Sequence, residues 1–192
     1  MPFISGTKSP LHEHRQFCTL CGDMETMDHI IIQCETSPCR LIWSLARKMW
    51  PHRPNLWPNI TLGTVMGCGA LSPPTTENRE IMNENTPPLH PPKGAKRLLQ
   101  ILISEDAYLI WVLRCERSIQ GQTHTIHEMN TRWEKSINKR LTNDKITALT
   151  ITRDKNFRKL VKNTWEGVLL KQMDLPPDWL QNREVLVGRR LT

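Results

Sequence analysis

The residues best suited to chemistry lie near the start of the chain. Cys18 and Cys21 are separated by two residues, His29 follows after seven more, and Cys34 after a further four, giving C-x2-C-x7-H-x4-C. Zinc prefers four soft or borderline ligands arranged as a tetrahedron. Two cysteines with two residues between them can aim both sulfurs at one ion from a single turn, and Gly22 directly after the second lets the backbone turn away without a Cβ clash. Cys18, Cys21, His29 and Cys34 are therefore the expected Zn2+ ligands. Cys39 competes for the fourth place, where it would replace His29 and make an all-cysteine site; His12 and His14 are further reserves. A closed set of four protein ligands is structural, because a catalytic zinc keeps one position open for water.

A second group of residues concerns charge. Between 132 and 162 lie ten basic residues, opposed only by Glu134, Asp144 and Asp154. The whole chain carries 26 Lys+Arg and 19 Asp+Glu, net +7, so this window accounts for the entire excess. At about 100° per residue, Lys155, Arg158, Lys159 and Lys162 share one helical face, opposite Phe157, Leu160, Val161, Trp165 and Val168. On the preceding helix Arg132, Lys135 and Lys139 oppose Ile126, Met129, Trp133, Ile137 and Leu141. Lys139, Arg140, Lys155, Arg158, Lys159 and Lys162 are the candidate contacts to an RNA or DNA backbone, sequence-independent and salt-sensitive. The bland reading of the same face is ordinary solvated helix surface. Trp43, Trp111, Trp133 and Trp165 fall on apolar stripes and read as core; Trp50 and Trp57 are freer to stack on bases.

Glu105, Asp106 and Glu116 stand close to Arg114 and Arg117 in sequence, with Arg97 on the same segment. An acid/base pair would need a nucleophile or a Gly-rich phosphate loop beside it, and neither is present. An ion-pair network between packed helices is the expected role.

The elements that position these groups follow from the pattern. The chain has 192 residues, 38% apolar, with 14 prolines and 6 cysteines, enough to bury a core. Residues 1–13 read as an irregular lead-in and 14–50 as a zinc-binding module. In that module Thr26 caps a short helix, and a second helix starts with Ser37 as N-cap and Pro38 at the first helical position. Nine of the fourteen prolines fall in 51–92, which reads as a Pro-rich linker, flexible over 72–92, with local packing from Leu56 to Cys68. A helical bundle is expected over 93–172. Its helices run from 93 to 120 with a stop at Gly121, from a Thr125–Glu128 capping box to Leu141, and from an Asp154 cap to Lys171, with 142–153 ambiguous. Pro176 and Pro177 end the last helix, and in the tail, 173–192, the stretch from Asp178 to Thr192 is expected to be only partly ordered. The fold class is all-α. No apolar run reaches the roughly 18 residues of a membrane span, and residues 1–10 lack a secretory h-region, so a reducing intracellular compartment, nucleus or cytoplasm, is expected.

The run from Cys18 through Gly22, Glu25, Thr26, Asp28 and His29 to Cys34, followed by Ile42-Trp43-Ser44-Leu45-Ala46, resembles the reverse-transcriptase zinc-binding knuckle of LINE-like, non-LTR retrotransposon polyproteins. Ile103-Ser104-Glu105-Asp106-Ala107-Tyr108-Leu109-Ile110-Trp111-Val112-Leu113-Arg114-Cys115-Glu116-Arg117 and Asn138-Lys139-Arg140-Leu141-Thr142 resemble the C-terminal helical extension of fungal members, in which a ribonuclease H domain precedes the knuckle. The resemblance covers roughly residues 14–190. It implies the C-terminal piece of a retroelement polyprotein, with the four ligands above and the upstream domains as partners. The sequence holds no Tyr/Phe-x-Asp-Asp polymerase signature and no ribonuclease H carboxylate set. The expectation is a non-catalytic, zinc-stabilised nucleic-acid-binding segment. The alternatives are a scaffold module without nucleic-acid contact, an active nuclease fragment, and a fragment or decayed copy with no activity of its own.

Overall fold

A computed structural model describes residues 16–35, 38–74, 92–151, 154–182 and 184–188. The chain is all-α: among the described residues there is no β-strand, only two isolated bridges, Phe17 to Met24 and Leu169 to Val187. The described residues form five α-helices, α1 (Pro38–Met49), α2 (Leu62–Met66), α3 (Ala95–Gln120), α4 (Ile126–Ile146) and α5 (Lys155–Trp165). Among the described residues, no helix is long and apolar enough to cross a membrane.

Each helix boundary has a local cause. Pro38 occupies the first position of α1, where a missing N–H costs nothing, and Arg47 and Lys48 sit in its last turn, favourable to the helix dipole. The expected cap Ser37 lies outside the described residues. Thr61 caps α2, accepting from the Thr64 amide at 3.1 Å. α3 ends at Gly121 in the left-handed region, as its sequence predicts. α4 opens with the expected capping box: Thr125 Oγ1 accepts from the Glu128 amide at 3.2 Å, and Glu128 Oε2 accepts from the Thr125 amide at 2.7 Å. Asp154 caps α5 by accepting from the Asn156 amide at 2.8 Å.

Two boundaries differ from the sequence pattern. α4 continues past Leu141 to Ile146 and runs into a π-turn, Thr147–Ile151, which accounts for the ambiguous stretch. α5 stops at Trp165 rather than near 171, because Glu166 turns extended and Gly167 takes a φ of +83°. A Cβ at Gly167 would come within 2.9 Å of Pro51 Cβ, so the chain passes close under the start of the 51–74 segment there.

α3 is the axis of the core. Leu98, Leu99, Leu102, Ile103, Ile110 and Leu113 are essentially inaccessible, each contributing about 2 kcal/mol of burial. The buried apolar residues of the candidate metal loop, residues 16–35 (Cys18, Ile30, Ile31, Cys34), of α1 (Ile42, Ala46, Met49) and of α3 to α5 form one contiguous cluster. The expected module at 14–50 is thus packed on the bundle. Residues 51–74 also join it: Leu56 is buried, Trp57, Ile60, Val65, Cys68 and Leu71 pack against the cluster, and Gln100 Nε2 of α3 donates to the carbonyls of Gly69 and Leu71 at 2.9 and 3.0 Å. Residues 75–91, the remainder of the expected linker apart from Pro92, lie outside the described residues. The tail is tied down as far as Gly188. Leu170 N donates to Leu186 O, Gly188 N donates to Val168 O, and Val185, Val187, Trp179 and Leu180 are buried.

Candidate metal centre

The metal loop is built from two short pieces. The first is a hairpin turn: the Cys18 amide donates to Asp23 O at 2.7 Å, the Gly22 amide to Cys18 O at 2.9 Å, and the Glu25 amide to Gln16 O at 2.8 Å. Gly22 has a φ of +84°, the conformation that a glycine at this place supplies without strain. The second is a single π-turn, His29–Gln33, entered through Thr26, whose Oγ1 accepts from the His29 amide at 3.0 Å. Its closing bond runs from the Cys34 amide to His29 O at 2.9 Å, five residues apart. In an α-helix five residues turn by about 500°, leaving the two side chains about 140° apart. The wider π-turn reduces that angle and brings His29 and Cys34 to one side. Trp43 of α1 braces the turn, its Nε1 donating to Ile31 O at 2.8 Å.

The four expected ligands converge. One ligand atom each from Cys18, Cys21, His29 and Cys34 lies within 4.8 Å of all the others. Three of the edges are Cys18 Sγ to Cys34 Sγ 3.8 Å, Cys21 Sγ to Cys34 Sγ 3.9 Å, and Cys21 Sγ to His29 Nε2 3.3 Å. With metal–sulfur bonds of about 2.3 Å and metal–nitrogen bonds of about 2.0 Å, a tetrahedron has S···S edges near 3.8 Å and S···N edges near 3.5 Å. The observed edges match that figure and are far longer than the roughly 2.05 Å of a disulfide. This Cys3His cluster could hold a metal ion. Cys39 lies elsewhere: its buried thiol donates to Cys34 O at 2.8 Å, backing the loop from behind. His12 and His14 lie outside the described residues.

The thiols are electrostatically unequal. Burial works against ionising Cys18, yet hydrogen bonding from His29 and from the Leu20 and Cys21 amides brings it down to about 6. At Cys21 the Asp23 amide favours the thiolate, but desolvation and the neighbouring Cys18 and Cys34 sulfurs outweigh it and push the thiol up to about 12. A second thiolate beside the first is costly unless a cation sits between them.

The loop is fastened to α3 by a contact that spacing could not reveal. Glu25, with its side chain 3% exposed, takes an ion pair from Arg114 and a longer one from Arg117 Nη2 at 3.9 Å. The carboxylates of α3 itself bridge to neighbouring elements. Glu116 receives Arg132 of α4 in a bidentate pair at 2.5 and 2.9 Å, which holds its carboxyl below the usual range, and His124 Nε2 at 2.7 Å. Glu105 accepts from Ser136 Oγ at 2.6 Å and pairs with Arg140 Nε at 3.3 Å. Asp106 is fully buried and accepts from Trp133 Nε1 at 2.7 Å; burial raises its carboxyl well above the ordinary value. These are the inter-helix links expected of the acidic residues. Asp144 was not singled out in the sequence. It accepts from Arg97 Nη1 and Nη2 at 2.5 and 2.6 Å and from Trp165 Nε1 at 2.8 Å, joining α3, α4 and α5.

The six candidate backbone contacts divide evenly. Lys139, Lys155 and Lys159 are exposed and have no hydrogen-bond or ion-pair partner among the described residues. Arg140 pairs with Glu105. Arg158 Nε donates to Ala148 O at 2.9 Å, and Lys162 Nζ to Pro177 O at 2.6 Å and Asp178 at 3.4 Å. The expected stacking groups also change places. Trp50 is 3% exposed, packed edge-on against His52 and Trp57, because the chain folds back at Pro51 over the end of α1. Trp111, expected in the core, is 38% exposed, and Ile126 and Leu160 of the expected apolar stripes face solvent. Compared with protein-family models, with curated proteins and with solved structures, the chain matches none.

Proposed function

We propose that the chain is a non-catalytic, zinc-stapled module that binds the backbone of RNA or DNA, as expected for the C-terminal segment of a retroelement reverse transcriptase/ribonuclease H polyprotein. The observation that carries the zinc part is the set of tetrahedral edges among Cys18, Cys21, His29 and Cys34. A structural Cys3His zinc supplies folding energy to a loop that has few residues of its own with which to build a core. The nucleic-acid part is supported by the unpaired lysines of α4 and α5, Lys139, Lys155 and Lys159, together with Lys135. Phosphate contacts made by such side chains carry little sequence information and weaken steeply with salt.

A gel-shift titration across salt tests this reading. It predicts binding at low salt that falls in proportion to a power of the salt concentration; no binding at low salt would end it. A second reading, a scaffold that docks helices of a parent polyprotein, is favoured by Arg132, Arg140, Arg158 and Lys162, which spend their charge inside the fold. It predicts no mobility shift at any salt. Incubation with an RNA–DNA hybrid and Mg2+ tests the nuclease alternative, and no cleavage is expected.

A further inference from the structure

The outward face of α3 carries an aromatic stripe. Tyr108 is 67% exposed, Trp111 38% and Ile119 62%, with Cys115 half-buried between them. At about 100° per residue these four side chains fall within an arc of about 80°, on the side opposite the buried Leu102, Asp106, Leu109 and Leu113. On one flank of the stripe, Arg114 is held by Glu25 of the metal loop. On the other, Glu105 and Glu116 pair with Arg140 and Arg132 of α4.

Those two pairs set the register of α3 against α4. Residue 105 lies beside 140, and 116 lies beside 132, so the helices run antiparallel and Lys135 and Lys139 stand level with Tyr108 and Trp111. Both lysines are exposed, on the side of α4 away from the buried Trp133, Ile137 and Leu141. An aromatic row and a lysine row therefore line the same side of the molecule, separated by a seam of neutralised ion pairs. Adjacent packed helices lie about 8–10 Å apart, the scale of one nucleotide from base to phosphate.

We infer that this face is a stacking platform for single-stranded nucleic acid, with bases on Tyr108 and Trp111 and phosphates on Lys135 and Lys139. The inference rests on the nucleic-acid reading above and adds to it a strand type and a site. Bases stack on exposed aromatic side chains without sequence preference, and a neighbouring cationic row follows the backbone. A duplex presents no free base faces and gains only the lysine contacts.

The test is fluorescence anisotropy of the full chain, zinc-loaded, with a labelled 15-nucleotide oligo(dT), its duplex, and an abasic strand of the same length. Oligo(dT) is expected to bind tighter than its duplex, and the abasic strand to bind at least about tenfold more weakly than oligo(dT). Tyr108→Ala with Trp111→Ala, both exposed and checked for folding by circular dichroism, is expected to remove the preference for oligo(dT) over the abasic strand. Trp111→Phe is expected to retain most of it. Lys135→Gln with Lys139→Gln is expected to weaken all three ligands together and to flatten the salt dependence. Equal affinity for oligo(dT) and the abasic strand overturns the platform while leaving backbone binding intact. Absence of any binding overturns the platform and the nucleic-acid reading alike. A dimer that the aromatic pair of substitutions converts to monomer, with oligonucleotide affinity unchanged, assigns the stripe to a second copy of the chain and overturns the platform.

Discussion

Arg114 donates to the carboxylate of Glu25, and this contact fastens the candidate metal loop to α3, the longest helix among the described residues. Glu25 lies four residues after Cys21 and four before His29, in the segment that connects the two halves of the ligand set. The loop's position on α3 and its ligand geometry are thus held through the same few residues. Loss of the metal should be felt in the bundle, and loss of the ion pair should be felt at the metal.

Glu25→Ala leaves Arg114 and Arg117 facing each other without their acceptor. A half-buried guanidinium deprived of its partner costs about 2 kcal/mol, allowing for the partial exposure of both arginines. The expected outcome is a lower urea midpoint together with faster transfer of zinc to a chelator. Unchanged chelation kinetics would separate the loop from the helix.

Asp144→Ala removes one acceptor from two donors on two helices, Arg97 and Trp165. A loss of about 3 kcal/mol is expected, read as a shift of the denaturation midpoint. The zinc content should stay at its parental value, since Asp144 lies in α4 and its partners Arg97 and Trp165 lie in α3 and α5, outside the loop. A loss under about 0.5 kcal/mol would show that the two donors find water without cost.

Asp106 makes stability depend on pH with a defined sign. Its carboxyl is raised in the folded state by burial, with the Trp133 indole opposing and the Glu105 charge adding to the shift. An unfolded Asp titrates near 4. The stability contributed by the neutral acid is fully present below that pH and is lost as pH rises through the folded value. Asp106→Asn keeps an oxygen for Trp133 Nε1 and cannot ionise. The stability of the variant relative to the parent is therefore expected to improve as pH rises above about 4 in parallel urea titrations. A difference that stays flat as pH rises contradicts the burial account.

How far the sequence alone leads differs from element to element. The Cys3His cluster was legible because its members share a local spacing that a metal would require, and helix starts were legible where Thr125 with Glu128, or Asp154, carry their own capping chemistry. The end of α5 was not, since it depends on Gly167 passing close under Pro51, 116 residues away in sequence and invisible to periodicity. The same limit applies to the tryptophans. Trp111 sits at helical spacing among apolar residues, yet α3 is apolar over most of its circumference, so its outer stripe could not be told from its inner one. Glu25 and Asp144 carried no signal, because nothing in a sequence says which arginine a buried carboxylate will meet. Of the basic residues, charge counting marked all ten alike, whereas tertiary partners engage Arg132, Arg140, Arg158 and Lys162 and leave Lys139, Lys155 and Lys159 to solvent.

The central claim is that Cys18, Cys21, His29 and Cys34 form a closed zinc site on which the order of the loop depends. Elemental analysis of the purified chain, paired with X-ray absorption at the zinc edge, tests it most directly. The account predicts one zinc per chain in a shell of three sulfurs and one nitrogen, lost in Cys21→Ser and retained in Cys39→Ser. A metal-free chain whose loop amides stay dispersed and protected by NMR would contradict it, as would a shell of four sulfurs that needs Cys39.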